Sequence, residues 1–316
     1  MTYWDPELRT ALDRSRGELP ATITPDLIPL LQNASVQTDD AVTTLEQRFA
    51  VRLEQRAVGS SVDVVVARPS AVRSPAPVIF FVHGGGMVMG SPVHGLDLVL
   101  PWAVAAGAVV VSVGYRLAPQ HPDPVPADDC RAALLWTVAH ADGLGIDPGR
   151  IVLAGHSAGG GLAAGLALRM RDEGGLRLRG QLLMCPMLDD RESTPSSVEL
   201  DGDGVWDRTS NTTGWTALLG DRRGGPDVGV HAAPARATDL SALPPTYIDV
   251  GSAETFRDEV VGFASRIWHG GGAAELHVWP GAYHCFEIVA PEAGVARAAL
   301  AARRAWALRA LGPLSR

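Results

Sequence analysis

The sequence predicts an α/β fold, a mostly parallel central sheet covered by helices on both faces. Three observations carry that expectation. Short, nearly unbroken apolar runs recur at 78–82, 108–113, 151–154, 181–185 and 246–250. Strands that are apolar throughout, rather than at alternate positions, are buried on both faces, as parallel strands are. Between most of these runs lie stretches long enough for a helix, and that alternation is the mark of strand–helix–strand units. Finally, 35 glycines and 23 prolines supply the many turns such a chain needs.

Taken in order, residues 1–47 read as a polar, helical cap segment broken into short pieces by Pro20, Pro25 and Pro29. The pattern becomes extended at 49–58, and 62–67 is a β-branched strand; two strands this close form a hairpin at a sheet edge. A buried strand at 78–82, a helix at 94–106 and a strand at 108–113 follow. A helix is expected over 128–141, with Pro126 just ahead of it, where a missing N–H costs least. Residues 151–154 are a strand and 158–171 a helix rich in small residues. Strands at 181–185, 246–250 and 275–279, with helices at 254–269 and 292–311, complete the series. The stretch 189–238 breaks the rhythm, being polar with Gly and Trp scattered through it. It is expected as an insertion above the carboxyl ends of the strands, where open α/β sheets bind ligands. With residues 1–47 it would form a lid over a catalytic domain spanning 48–316.

Composition removes whole reaction classes. There is no lysine, so all 27 basic residues are arginine. Schiff-base chemistry, a phosphate-loop lysine and a Ser–Lys dyad are thereby excluded. Any serine nucleophile must take its base from the nine histidines. A net charge of −8 opposes a nucleic-acid role. The four arginines within 169–179 read as a solvated helix end and loop. Cys130, Cys185 and Cys285, odd in number and widely spaced, read as reduced thiols of a cytoplasmic protein rather than a disulfide framework. The first residues lack the basic-then-apolar order of a secretory signal. No apolar run reaches the roughly 18 residues of a membrane span. Neither H-E-x-x-H nor paired-cysteine spacing occurs, so neither a metal nor an organic cofactor is expected.

Two motifs carry the chemistry. Gly155-His156-Ser157-Ala158-Gly159 follows a strand and opens a helix. Only small neighbours let a serine sit on so sharp a turn with its hydroxyl projecting, so Ser157 is the candidate nucleophile. His83-Gly84-Gly85-Gly86 follows another strand. Its backbone can approach a ligand closely and aim N–H groups at a developing oxyanion. Gly84, Gly85 and Ala158 are assigned as those donors, and His83 as a residue that orients the loop.

The base is expected at His284, in the loop after the last strand, because this chemistry collects beyond carboxyl strand ends. His277 lies inside that strand and His269 ends a helix. His156 adjoins the nucleophile, and a side chain so placed in a tight turn usually points elsewhere. The orienting acid is expected at Glu254, after the strand at 246–250. Asp258, one helical turn on, is its rival, with a pairing to Arg257 as the plain alternative; Asp249, inside the strand, is less free to reach. The order Ser157, Glu254, His284 is the nucleophile–acid–histidine order of α/β-hydrolases. Met87, Trp206 and Trp215 are candidates for the substrate pocket. The segment 115–122 reads as structural, with Arg116 paired to a carboxylate such as Asp128.

These residues resemble the bacterial hormone-sensitive-lipase-like esterases of the α/β-hydrolase superfamily. The matching stretches are HGGG at 83–86, YRLAPQHP at 115–122, GHSAGG at 155–160, Glu254 with Arg257 and Asp258, and PGAYH at 280–284. They span about two hundred residues in one order. The resemblance implies an α/β-hydrolase fold with a helical cap over an acyl pocket, a carboxylesterase acting on a small-molecule ester, and a dimer surface over 275–311. Two positions depart from the family pattern. His156 stands where aspartate is usual, and Glu254 where the acid is most often aspartate, so its loop must sit back by about one methylene. The short, polar cap suggests short-to-medium acyl chains. An amidase or thioesterase with the same triad is an alternative. So is a non-catalytic small-molecule receptor, although receptors on this fold lose the triad histidine.

Overall fold

A computed structural model describes residues 3–15, 20 and 22–312. Eight strands form one sheet: β1 (Val51–Val58), β2 (Val62–Pro69), β3 (Ala76–Val82), β4 (Val109–Gly114), β5 (Ile146–His156), β6 (Gly180–Met184), β7 (Thr246–Gly251) and β8 (Ala274–Trp279). Their spatial order is β1-β2-β4-β3-β5-β6-β7-β8. The hairpin β1–β2 is antiparallel, as is β2–β4; every other pairing is parallel.

The pleat divides the core in two. In β3, Val78, Phe80 and Val82 face one cluster and Ile79 and Phe81 the other, and all five are buried. Helices Val125–Ala139, Ala158–Glu173 and Arg257–His269 cover the first face; Leu96–Ala106 and Gly294–Leu311 cover the second. With neither face of the central strands β3 to β7 left to water, the alternation of polar and apolar residues is lost there, which is why these strands read as apolar runs.

Local departures from the expected boundaries have clear causes. The helix expected from 128 begins at Val125, because Pro126 fits its first turn and needs no N–H donor there. Strand β5 starts at Ile146, five residues earlier than its apolar run, because a bulge opposite Ala76 and Val78 admits the polar Asp147-Pro148-Gly149-Arg150. Arg116 pairs with Asp129, at 2.7 Å, rather than with Asp128, which faces Arg169. Asp129 is buried against the 115–118 turn, where it also accepts the Arg116 backbone N–H.

The N-terminal residues form helices Pro6–Ser15, Ile28–Ala34 and Asp39–Phe49. The stretch 189–238 holds helices Pro195–Glu199 and Arg208–Leu219 but no strand among the described residues. The two segments are bonded to one another: Arg9 to Asp203 at 2.7 Å, and the Ile23 N–H to Ser210 Oγ at 2.8 Å. Among the described residues, no helix is long and apolar enough to cross a membrane.

Candidate active site

Residues at and beyond the carboxyl ends of β3, β5 and β8 line one cavity of about 300 Å³. At the end of β5 the chain turns sharply into the helix Ala158–Glu173, with Ser157 at φ 58°, ψ −122°. A non-glycine residue in that region costs of order 1–3 kcal/mol, so surrounding contacts must impose it. They do so by crowding: a Cβ on Gly159 would lie 2.1 Å from the Val82 carbonyl oxygen, so only glycine lets the elbow close against β3. The Ser157 N–H donates to the Met184 carbonyl at 2.8 Å, fixing the turn to β6.

Ser157 Oγ lies 2.8 Å from His284 Nε2, and His284 Nδ1 lies 2.6 Å from Glu254 Oε1. All three residues are buried. The other Glu254 oxygen accepts the Gly251 N–H at 3.0 Å. The carboxylate therefore accepts Nδ1–H, which leaves the Nε2 lone pair facing the serine hydroxyl. Burial disfavours the imidazolium of His284. Cys185 and Glu254 beside it outweigh that, and the basicity of His284 lies well above that of an ordinary histidine. Asp258 is turned elsewhere, bonded to Arg257 at 2.8 Å and to the Ser196 N–H at 2.8 Å. Asp249 stays within β7, bonded to Arg303, Tyr247 and Trp279.

The glycine turn leans on the same elbow. A Cβ on Gly84 would lie 3.3 Å from Ser157 Cβ. Gly85 has φ 111° and accepts the N–H groups of both Val88 and Met89, closing the turn. Among the described residues, the N–H groups of Gly84, Gly85 and Ala158 donate to no protein acceptor. Buried backbone donors are nearly always paired, and Gly84 and Ala158 are buried, so their N–H groups are open to an acceptor from outside. His83 props the turn: its Nδ1 lies 2.7 Å from the Gly84 carbonyl oxygen, and its ring stacks on Tyr115 at 4.2 Å. Tyr115 in turn donates its hydroxyl to the His83 carbonyl at 3.1 Å. Burial lowers the His83 pKa to about 3, so the ring is neutral.

The cavity wall departs from the expected pocket residues at two positions. Trp206 lines it, with its ring 6.3 Å from that of His284. Met87 and Trp215 do not: both are fully buried in the core cluster. The left-handed turn at Gly86 and Met87 sends Met87 inward, and Met89 reaches the cavity in its place. Ile23 and Leu31 from the N-terminal segment and Val205 from 189–238 join the wall. So does His156, which sequence reasoning set aside as pointing away. His94, Cys285, Ile288 and Val289 were also missed. The apolar spacing of 286–289, in the chain leaving His284, was the available signal.

Comparison with known proteins agrees with this geometry. Residues 79–288 match the alpha/beta hydrolase fold family. Esterase LipI of Mycobacterium tuberculosis is 35% identical over 287 residues, covering 84% of this chain and 88% of its own. Carboxylesterase NlhH of the same organism is 38% identical over 263 residues, covering 78% and 80%. Among solved structures, a bacterial heroin esterase superposes with a TM-score of 0.88 at 37% identity, covering 98% of this chain and 99% of its own. Esterase LipW from Mycobacterium marinum superposes with a TM-score of 0.87 at 32% identity, covering 98% and 97%. The chain belongs to the hormone-sensitive-lipase-like esterase family of the alpha/beta hydrolase fold.

Proposed function

We propose that this chain hydrolyses small carboxylic esters through an acyl-enzyme on Ser157. One observation supports the reading: a buried Ser157–His284–Glu254 hydrogen-bond chain lies beside a glycine turn and a helix start whose Gly84, Gly85 and Ala158 N–H groups have no acceptor among the described residues. His284 Nε2 takes the hydroxyl proton as Ser157 Oγ bonds to the ester carbonyl carbon. The carbonyl π electrons move to oxygen, and the resulting oxyanion is held by Gly84, Gly85 and Ala158. Collapse expels the alkoxide, which takes its proton from His284. Water then adds to the acyl-enzyme by the same route, releasing the acid and restoring Ser157. Glu254 holds Nδ1–H throughout and stabilises the transient imidazolium.

The N-terminal segment and residues 189–238 act as the cap. Each lines the cavity, and they are bonded to each other. A wall that is largely apolar and a volume of about 300 Å³ suit short-to-medium acyl chains. The three unpaired cysteines suit a cytoplasmic enzyme. Dimerisation through β8 and the helix Gly294–Leu311 is open to sedimentation analysis, since β8 ends the sheet.

The test is hydrolysis of p-nitrophenyl acetate and butyrate, with a fluorophosphonate probe to mark the nucleophile. Turnover and labelling of Ser157 are expected. Folded protein without turnover would favour a receptor on this fold, and labelling of another serine would displace Ser157.

A further inference from the structure

The cavity holds a polar group that the triad does not use. His156 is 4% exposed and lines the same cavity as Ser157 and His284. Its Nε2 faces the protein, 3.5 Å from Cys185 Sγ and 3.5 Å from Glu287 Oε1. Its Nδ1 has no hydrogen-bond partner among the described residues. A Cβ on Gly84 would lie 3.0 Å from that atom, so Nδ1 borders the turn assigned to the ester oxygen. Behind the ring, Glu287 is itself bonded to Arg303, which fixes the carboxylate and hence the imidazole. Burial by itself would lower the His156 pKa, but Cys185 and Glu287 outweigh it and raise it to about 9. The Glu287 carboxylate, held ionised by Arg303 and 3.5 Å from Nε2, favours the ring that carries protons on both nitrogens, in which Nδ1–H is a donor. His94, the other imidazole on the wall, is kept neutral by burial and by His156. Most of the remaining wall is apolar, with Val205, Trp206, Ile288 and Val289.

A donor that reaches a cavity and has no protein acceptor is satisfied by a ligand that supplies one. A site built to bond a substrate oxygen also rejects the analogue that lacks it. Resting on the esterase reading, we propose that His156 Nδ1–H is a specificity-determining donor that selects esters bearing a second acceptor oxygen (ether, hydroxyl or keto) a few bonds from the ester carbonyl. The first contact holds the carbonyl in the glycine turn, and the second, beside it, holds the added oxygen. That oxygen can sit on the acyl or the alcohol side, and isosteric pairs tell the two apart.

The experiment compares p-nitrophenyl methoxyacetate with p-nitrophenyl butyrate for the acyl side. It compares 2-methoxyethyl butyrate with butyl butyrate for the alcohol side. In each pair one methylene is exchanged for an ether oxygen. Each kcat/KM ratio is divided by the ratio for hydroxide-catalysed hydrolysis, which removes intrinsic reactivity. The wild type should favour one of the ether esters by about tenfold, the worth of one charged hydrogen bond. In His156→Phe that divided ratio should fall to about one while butyrate hydrolysis remains measurable. A wild type without preference in either pair, or a preference that survives in the variant, overturns the proposal. Should His156→Phe not fold, Glu287→Gln decides. It removes the counter-charge, so the preference must shrink, and an unchanged preference overturns the proposal. Brisk butyrate hydrolysis without an ether preference sinks this proposal alone; hydrolysis of none of the esters sinks the esterase reading with it.

Discussion

Glu254→Gln is the substitution in which the geometry makes the sharpest demand. Glu254 accepts two hydrogen bonds, Nδ1–H of His284 at 2.6 Å and the Gly251 N–H at 3.0 Å, and the residue is 2% exposed. A carboxamide has one acceptor and one donor for those two places. With its oxygen toward His284, its NH2 meets the Gly251 N–H, and a buried donor–donor contact costs about 1–3 kcal/mol. With its oxygen toward Gly251, its NH2 faces Nδ1. The imidazole must then carry its proton on Nε2, where it can no longer accept from Ser157. A wrong tautomer of this kind drops kcat by about 10⁴ in a serine protease. Either arrangement also removes the charge that stabilises the imidazolium. The expected loss in kcat/KM is about 10³–10⁴-fold, equivalent to roughly 4–5.5 kcal/mol of transition-state stabilisation. Asp258→Asn is the control. It weakens a partly exposed pair with Arg257 worth about 0–1 kcal/mol, and asparagine can still accept the Ser196 N–H. The assay is p-nitrophenyl butyrate hydrolysis, with circular dichroism to establish folding. A Glu254→Gln enzyme within tenfold of wild type, or an Asp258→Asn enzyme that is the slower of the two, would refute the reasoning.

Ser157→Ala should abolish turnover and fluorophosphonate labelling while leaving the far-ultraviolet spectrum unchanged; residual turnover near the wild-type rate would remove the elbow from the mechanism. Because Glu254 and Cys185 raise the His284 pKa and only the neutral imidazole can accept the serine proton, the acid limb of kcat/KM should lie above pH 6.5. In Glu254→Gln that limb should move to lower pH, and a pH–rate series reads both shifts. Arg303→Met should cost about 3–5 kcal/mol, because it strands the buried Asp249 and Glu287 carboxylates. A thermal midpoint lowered by roughly 6 °C or more checks this, and an unchanged midpoint contradicts it.

The middle of the sheet was readable because its strands are buried on both sides, so composition alone betrays them. Ser157 and the glycine turn were readable for a different reason: backbone geometry there tolerates only small residues. Glu254 and His284 followed from the rule that chemistry gathers at carboxyl strand ends. What escaped was set by turn direction. Met87 and Met89 are two residues apart, and only the left-handed turn at Gly86 and Met87 decides which enters the cavity. His156 escaped likewise, because its orientation depends on Glu287 and Cys185, which lie 131 and 29 positions away in the chain. No periodicity reports a contact of that range.

The buried ions explain why the site holds its shape. Arg303 bonds Asp249 and Glu287, and Glu287 faces His156. Each of these three partners sits close in sequence to one member of the triad. His156 precedes Ser157, Glu287 follows His284 by three residues, and Asp249 precedes Glu254 by five in the strand that leads to it. One guanidinium on the last helix thus ties β7 directly to the histidine loop, and through Glu287 reaches the elbow. Burying four ionisable groups is expensive in itself, and replacing such clusters by apolar side chains is often neutral or stabilising. Their value here is therefore positional. A hydrophobic contact would tolerate a sliding loop, whereas bonds between charged groups fix both distance and angle. A shift of about 1 Å between reacting groups can cost 10²-fold in rate, so a clamp of this kind acts on catalysis through geometry rather than through net stability.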